Sequence, residues 1–203
     1  MMKILVTGFE PFNQDAINAS MEVMNQLPDT IRNAKLIKRI LPVTPDQAMH
    51  IIKTIVEEEH PDIVISLGQA TSRKAITIER VGVNVDDFRI PDNANLQPRN
   101  QVIEANGPGG YLCELPVNDM VEAIRAQGVE ADLSFHAGTF VCNHVCYATT
   151  HYLKQIGRGQ KSVFIHLPAL PIQVIETIPS MDLEDMVKGI LAVLTFLEGN
   201  HHA

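Results

Sequence analysis

The chain has 203 residues, 45% of them hydrophobic and 20% charged, which suits one globular domain with a sizeable core that needs no disulfide or structural metal to fold. A formal net charge of −8, with no Lys/Arg cluster, excludes a nucleic-acid binder, because such proteins need a basic face to displace counterions. Met1-Met2-Lys3-Ile4-Leu5-Val6 reaches Thr7-Gly8 before a secretory apolar region can form, and no apolar run is long enough to cross a bilayer. Three cysteines, Cys113, Cys142 and Cys146, lack framework spacing and read as thiols of a reducing compartment, so a cytoplasmic location is expected.

In chain order, residues 3–9 form a short β-branched run that reads as a buried strand. Residues 18–27 read as a helix, with Asn18 as its cap and Met21, Met24 and Leu27 at helical spacing. A second strand is predicted over 36–43. Pro45 and Asp46 then open a helix to about residue 59, with Ala48, Ile51, Ile52, Ile55 and Val56 on one face. Residues 62–67 are continuously apolar, the pattern of a strand covered on both faces. An alternating strand follows over 75–85, and then a polar, Pro/Asn/Gly-rich stretch over 86–110. A connection that long is more often a functional loop than a linker.

Helix is predicted over 118–128, strand over 133–137, helix over 143–156 and strand over 162–167. An amphipathic helix over 182–198 closes the order, and His201 and His202 read as a solvated tail. Strands alternating with helices, with no internal repeat or break in composition, predict a single α/β domain over 1–203. Its expected form is a three-layer α/β/α sandwich around a mixed, mostly parallel sheet.

Two segments place reactive side chains at strand ends, where open α/β sheets carry their sites. In Ser134-Phe135-His136-Ala137-Gly138-Thr139-Phe140-Val141-Cys142-Asn143 a strand runs into a Gly turn, and Cys142 falls at the start of the next helix. Unpaired N–H groups and the positive end of the helix dipole favour a thiolate there and can bind an oxyanion. In Val163-Phe164-Ile165-His166-Leu167-Pro168 a histidine ends an apolar strand. A thiol and an imidazole so placed are what nucleophilic acyl transfer needs.

Taken singly, each residue has a plainer reading: a cysteine as a small core hydrophobe, a strand-end histidine as a structural one. Cys146, one helical turn beyond Cys142, defaults to core packing, and Cys113 has no partner in sequence. Cys142, His144, Cys146 and His151 cluster locally, but His144 projects almost opposite the two cysteines and the spacing matches no zinc pattern. No metal and no cofactor is expected.

Several motifs in order make the chain resemble the pyroglutamyl peptidase I family, the C15 cysteine peptidases also called pyrrolidone carboxyl peptidases. Gly8-Phe9-Glu10-Pro11-Phe12 resembles the family's N-terminal signature, with Asn18-Ala19-Ser20 where Asn-Pro-Ser is usual. Gly68-Gln69-Ala70 is similar to its Gly-Gln turn, Ile78-Glu79-Arg80-Val81-Gly82-Val83-Asn84 to its glutamate segment and Phe88-Arg89-Ile90-Pro91-Asp92-Asn93 to the loop that follows. The Cys142 and His166 segments resemble the remaining two motifs.

The resemblance implies Glu79, Cys142 and His166 as a catalytic triad, a choice of Glu79 that its own neighbourhood beside Arg80 does not make. It implies substrate contacts from Phe9, Phe12 and Phe140 as apolar walls, Asn18 and the Gln69 backbone as amide partners of a lactam, and Arg89 near the oxyanion or holding the loop. The implied activity is removal of an N-terminal pyroglutamyl residue from peptides through a thioacyl intermediate. Peptides with N-terminal pyroglutamate are then the partners, with a homo-oligomer, by family habit a tetramer, as the assembly. Ala19 in place of Pro raises the entropy of the unfolded loop but removes no reactive group. The competing expectations are a nucleoside phosphorylase or hydrolase-like protein, a peptidyl-tRNA-hydrolase-like enzyme, or a small-molecule-binding α/β protein without peptidase activity. The first two need a phosphate cradle or a basic surface, and neither is evident.

Overall fold

Seven strands run side by side in the computed structural model, which describes residues 1–13, 15–175 and 177–200. In chain order the elements are β1 (Met2–Phe9), α1 (Ala19–Gln26), β2 (Thr30–Ile31), β3 (Ala34–Leu41), α2 (Pro45–Glu59), β4 (Ile63–Gln69), β5 (Ile76–Glu79) and β6 (Val81–Val83). They continue with β7 (Gly110–Leu112), α3 (Val117–Arg125), β8 (Ala131–Ser134), α4 (Val141–Ile156), β9 (Lys161–Leu167), a 3₁₀ turn (Pro171–Gln173) and α5 (Leu183–Asn200). The main sheet has the order β2-β3-β1-β4-β9-β5-β8, and β6 and β7 form a separate ribbon. The β3, β1, β4 and β9 neighbours pair in parallel, as do β5 and β8, while β5 meets β9 antiparallel. This is the α/β sandwich with a mixed, mostly parallel sheet that the alternation of elements predicts.

Alternation along each strand sends successive side chains into two cores. Ile4, Val6, Ile63, Ile65, Leu67, Ile76, Ile78, Val163, Ile165 and Leu167 pack with α1, α3 and α5 on one face. Leu5, Phe9, Val64 and Phe164 pack with α2 and α4 on the other. Each fully buried Ile or Leu contributes about 1.5–3 kcal/mol through the water it leaves, so registry is strongly enforced on both faces.

Several boundaries differ from the sequence expectation. The strand predicted over 133–137 is β8, which ends at Ser134, and Phe135 and His136 stand exposed in the following loop. The alternating 75–85 segment breaks at Arg80, whose N–H donates to the Ser134 carbonyl and whose carbonyl accepts from the Cys113 N–H. Beyond that break the chain leaves the sheet and crosses α4 as β6. Gly82 permits the crossing, since a β-carbon there would lie 2.9 Å from the Tyr147 backbone nitrogen. The two-residue strand β2, hairpinned onto β3, carries too little pattern to be foreseen. The proposed tail at His201 and His202 lies outside the described residues. No helix among the described residues is long and apolar enough to cross a membrane.

The 86–110 connection is ordered by its own hydrogen bonds. Asp86 bridges Gln101, Asp92 Oδ1 accepts from the Ala94 and Leu96 N–H groups, and Phe88 is fully buried. Asn143 fixes β6 to α4. Its Oδ1 accepts from the Val83 N–H and its Nδ2 donates to the Val83 and Val85 carbonyls, with no solvent exposure. Asn143→Ala leaves those backbone groups buried without partners and should lower unfolding free energy by about 2–3 kcal/mol. Urea denaturation measures it, and a change under about 0.5 kcal/mol contradicts this role.

Candidate active site

The same alternation that builds the cores aims the polar groups. On β9, Val163, Ile165 and Leu167 face α1, α3 and α5, so Phe164 and His166 face α2 and α4. On β5, Ile76 and Ile78 face the first core, leaving Thr77 and Glu79 on the α4 side. Antiparallel pairing sets Thr77 opposite His166 and Glu79 opposite Phe164, and from there Glu79 Oε1 reaches His166 Nδ1 at 2.8 Å. Glu79 is 1% exposed and His166 3%.

Cys142 and His166 line the same cavity, and the charge and hydrogen bonding of the thiol act on the imidazole. Cys142 is the second residue of α4, which starts two residues earlier than the helix expected over 143–156. The first intrahelical bond runs from the His144 N–H to the Phe140 carbonyl at 3.1 Å. The N–H groups of Val141, Cys142 and Asn143 precede it and find no backbone acceptor among the described residues. With Nδ1 committed to Glu79, Nε2 is the nitrogen left for sulfur. Gly68, paired with His166 across β4 and β9, makes room: a β-carbon on it would lie 2.7 Å from the Phe164 ring and 3.0 Å from Cys142 Sγ.

Charge follows this geometry. Burial pushes the His166 imidazole down, but the charge and hydrogen bonding of Cys142 and then of Glu79 outweigh it and leave the ring raised to about 9. Burial pushes Glu79 up; the hydrogen bond and charge of His166, with the Ser134 hydroxyl and the Arg73 guanidinium, carry it below the ordinary carboxylate range. The other thiols are different. Burial lifts Cys113 to about 11, against a weaker opposing pull from the Leu115 backbone and the charge of Arg80. Burial likewise raises Cys146, and the neighbouring Cys113, Glu79 and Cys142 add to it. For both, burial disfavours the thiolate at neutral pH. His144 turns away to Asp86, Nδ1 to Oδ2 at 2.7 Å, and the described residues contain no cluster able to hold a metal ion.

Cys142 and His166 open onto a cavity of about 400 Å³. Phe9, Phe12 and Phe140 line it together with Asn18, Gln69 and Arg89, so every residue the resemblance offered as a substrate contact borders one space. Their commitments differ. Asn18 caps α1: its Oδ1 accepts from the Ser20 N–H and hydroxyl and its Nδ2 donates to the Glu10 carbonyl, leaving one amide hydrogen free. The Gln69 side-chain oxygen is committed internally, Oε1 accepting from the Ala19 N–H and from Gln173 Nε2. Arg89 is exposed and has no ion-pair partner among the described residues.

Sequence reasoning passed over three groups. Arg73, and not the adjacent Arg80, is the cation on Glu79; Arg80 donates to the Cys113 carbonyl. Ser134 stands opposite Glu79 on β8. Thr139 and Asp87 stitch the Gly turn to the 86–110 loop, Thr139 Oγ1 donating to the Asp87 carbonyl at 2.9 Å. A cation just before the Glu79 strand was the available signal for Arg73.

A thiol, an imidazole and a carboxylate brought together at a helix start, on an α/β sandwich, are the groups that thiol-nucleophile hydrolases and transferases use. Comparison with known proteins narrows this. The family model described as pyroglutamyl peptidase, C15, matches residues 2–198, and the chain belongs to that family. It is 45% identical to the pyrrolidone-carboxylate peptidase of Treponema denticola over 98% of this chain and 95% of that one. It is 42% identical to that of Thermosipho melanesiensis over 93% and 95%. Among solved structures it superposes on the pyrrolidone carboxyl peptidase of Thermococcus litoralis with a TM-score of 0.93 at 38% identity, covering 99% and 97% of the two chains. Pyroglutamyl peptidase I from Bacillus amyloliquefaciens gives 0.91 at 34%, covering 96% and 94%.

Gly68→Ala should displace Cys142 from the imidazole while leaving the sheet folded. We expect iodoacetamide labelling of Cys142 at neutral pH to slow between about 10- and 100-fold, with unchanged far-ultraviolet circular dichroism. Labelling at the wild-type rate contradicts the close packing assigned to Gly68.

Proposed function

We propose that this chain is a cysteine exopeptidase that hydrolyses the amide bond after an N-terminal pyroglutamyl residue, with Cys142 as nucleophile, His166 as base and acid, and Glu79 as orienter. One observation carries the reading: a buried imidazole joined to Glu79 at 2.8 Å also engages the helix-start thiol at the edge of a phenylalanine-walled cavity.

His166 accepts the Cys142 proton and forms a thiolate–imidazolium pair that Glu79 steadies. Sulfur attacks the pyroglutamyl carbonyl carbon, and the free N–H groups of the first turn of α4 receive the oxyanion. The imidazolium protonates the leaving amine as the C–N bond breaks, giving a thioacyl enzyme. His166 then draws a proton from water, whose oxygen attacks the thioester carbonyl. Pyroglutamate leaves, and sulfur takes its proton back.

Selectivity follows from charge. Asp87 is the carboxylate lining the cavity, and its Oδ1 is already held by Arg99 Nε at 2.7 Å, while Arg89 stands there unpaired. An ordinary α-ammonium finds like charge and no free carboxylate, whereas a neutral lactam forfeits nothing on entry. On family resemblance the same reading includes a cytoplasmic homotetramer. Exposed Ile172 and Ile175, 85% and 69% accessible, supply apolar surface for such an assembly.

Cys142→Ser and His166→Ala should each lower kcat on a fluorogenic pyroglutamyl amide by at least about 10³-fold, and Glu79→Gln by less, while Cys146→Ser stays within about threefold. Equal loss in the two cysteine variants, both folded, rejects the nucleophile. The matching prolyl amide should remain uncut. The imidazolium gives up its proton as pH rises through about 9, and with it goes the acid that protonates the leaving amine. Activity should therefore decline on the alkaline side near that pH; a flat profile to about pH 10.5 argues against this role for His166.

A further inference from the structure

Arg73 sits in the turn between β4 and β5, and its Nη2 donates to three segments at once. The acceptors are Glu79 Oε1 at 3.3 Å on β5, Ser134 Oγ at 3.1 Å at the end of β8, and the His136 carbonyl at 2.9 Å in the loop that leads to α4. Arg73 is not among the residues lining the cavity that holds Cys142 and His166. We propose that Arg73 is a positioning residue for the peptidase reaction, clamping the Glu79 carboxylate to the loop that delivers Cys142; the proposal rests on the function assigned above.

Two features support it. Glu79 Oε1 takes both the Arg73 and the His166 donors, while Oε2 is buried with no partner. A carboxylate held by one oxygen is free to rotate unless a second donor fixes that oxygen, and Arg73 is the second donor. The other feature is charge. Facing Glu79 are His166 from β9, Cys146 from α4, the Ser134 hydroxyl from β8 and Arg73, with Cys142 beyond His166. Arg80 is turned to the Cys113 carbonyl, and Tyr111 and Cys113 lie farther along the same small pocket behind Glu79. Thiolate, imidazolium and carboxylate together carry one net negative charge. Arg73 is the permanent cation that cancels it, with its side chain only 29% exposed.

The test compares Arg73→Gln and Arg73→Lys with wild type. It reads the pH dependence of iodoacetamide labelling at Cys142 by peptide mass mapping, and kcat and KM on a pyroglutamyl amide. Arg73→Gln should lower kcat roughly 10- to 100-fold with KM within about twofold, and should move the acid limb of labelling up by roughly half a pH unit or more. Arg73→Lys keeps the charge but not the fork, so its limb should stay within about 0.2 unit while kcat falls only several-fold. An unmoved limb and wild-type kcat in Arg73→Gln overturn the proposal. A limb displaced equally in both variants overturns it too. If Arg73→Gln does not fold, the Arg73→Lys limb decides alone: held, it supports the clamp; displaced by half a unit, it rejects it. Labelling needs no substrate. A wild-type chain that labels at Cys142 but cleaves no pyroglutamyl amide therefore defeats the function while the labelling still decides Arg73.

Discussion

The site depends on one buried contact, the 2.8 Å hydrogen bond between Glu79 and His166 across the antiparallel β5/β9 junction. Neither group has water to solvate it, and an isolated carboxylate in such a place costs several kcal/mol. The pair is tolerable because each supplies the other's counter-charge, and because Arg73 and Ser134 stand behind the carboxylate. The requirement reaches back into topology. The two groups share a face because β5 and β9 each keep their apolar residues on the opposite one, and a one-residue slip of either strand turns its polar member into the α1/α3/α5 core.

That dependence explains what the sequence made legible. Periodicity and caps located α2 to the residue and β1, β4, β9, α4 and α5 to within two, because those segments bury clear faces. It placed Cys142 and His166 at element ends from local pattern alone. Glu79 had no such mark. A carboxylate beside an arginine in an alternating strand looks solvent-exposed until one knows that β5 is an interior strand between β9 and β8, and strand order is a non-local fact. Only the family resemblance singled it out. Arg73 escaped for a similar reason. Its three acceptors come from β5, β8 and the loop beyond β8, which the fold brings together and the chain does not.

The three thiols show environment overriding residue type. Cys142 and Cys146 lie one turn apart on α4 and are both half-buried, yet Cys142 borders the main cavity while Cys146 lines the small pocket behind Glu79, where its surroundings disfavour the anion. Cys113 lies against the same small pocket as Cys146 and donates to the Ser162 carbonyl, the behaviour of a packed thiol. Helix phase, set by how α4 sits on β4 and β9, decides which of the two sulfurs meets the cavity.

The long 86–110 connection then takes on a mechanical sense. Phe88 anchors it in the α2/α4 core and stacks edge-on with Phe140 at 4.6 Å, while Thr139 and Asp87 bond the Gly turn to it. The loop that carries Arg89 and Ile90 to the cavity is thus fastened to the residues immediately before Cys142. Wall and thiol are tied together, with Arg73 holding the other side through the His136 carbonyl. On the proposed function, a peptide entering this cavity would meet its apolar wall and the sulfur together. On that reading, the fit of the first residue in the space would align the scissile carbonyl with the sulfur.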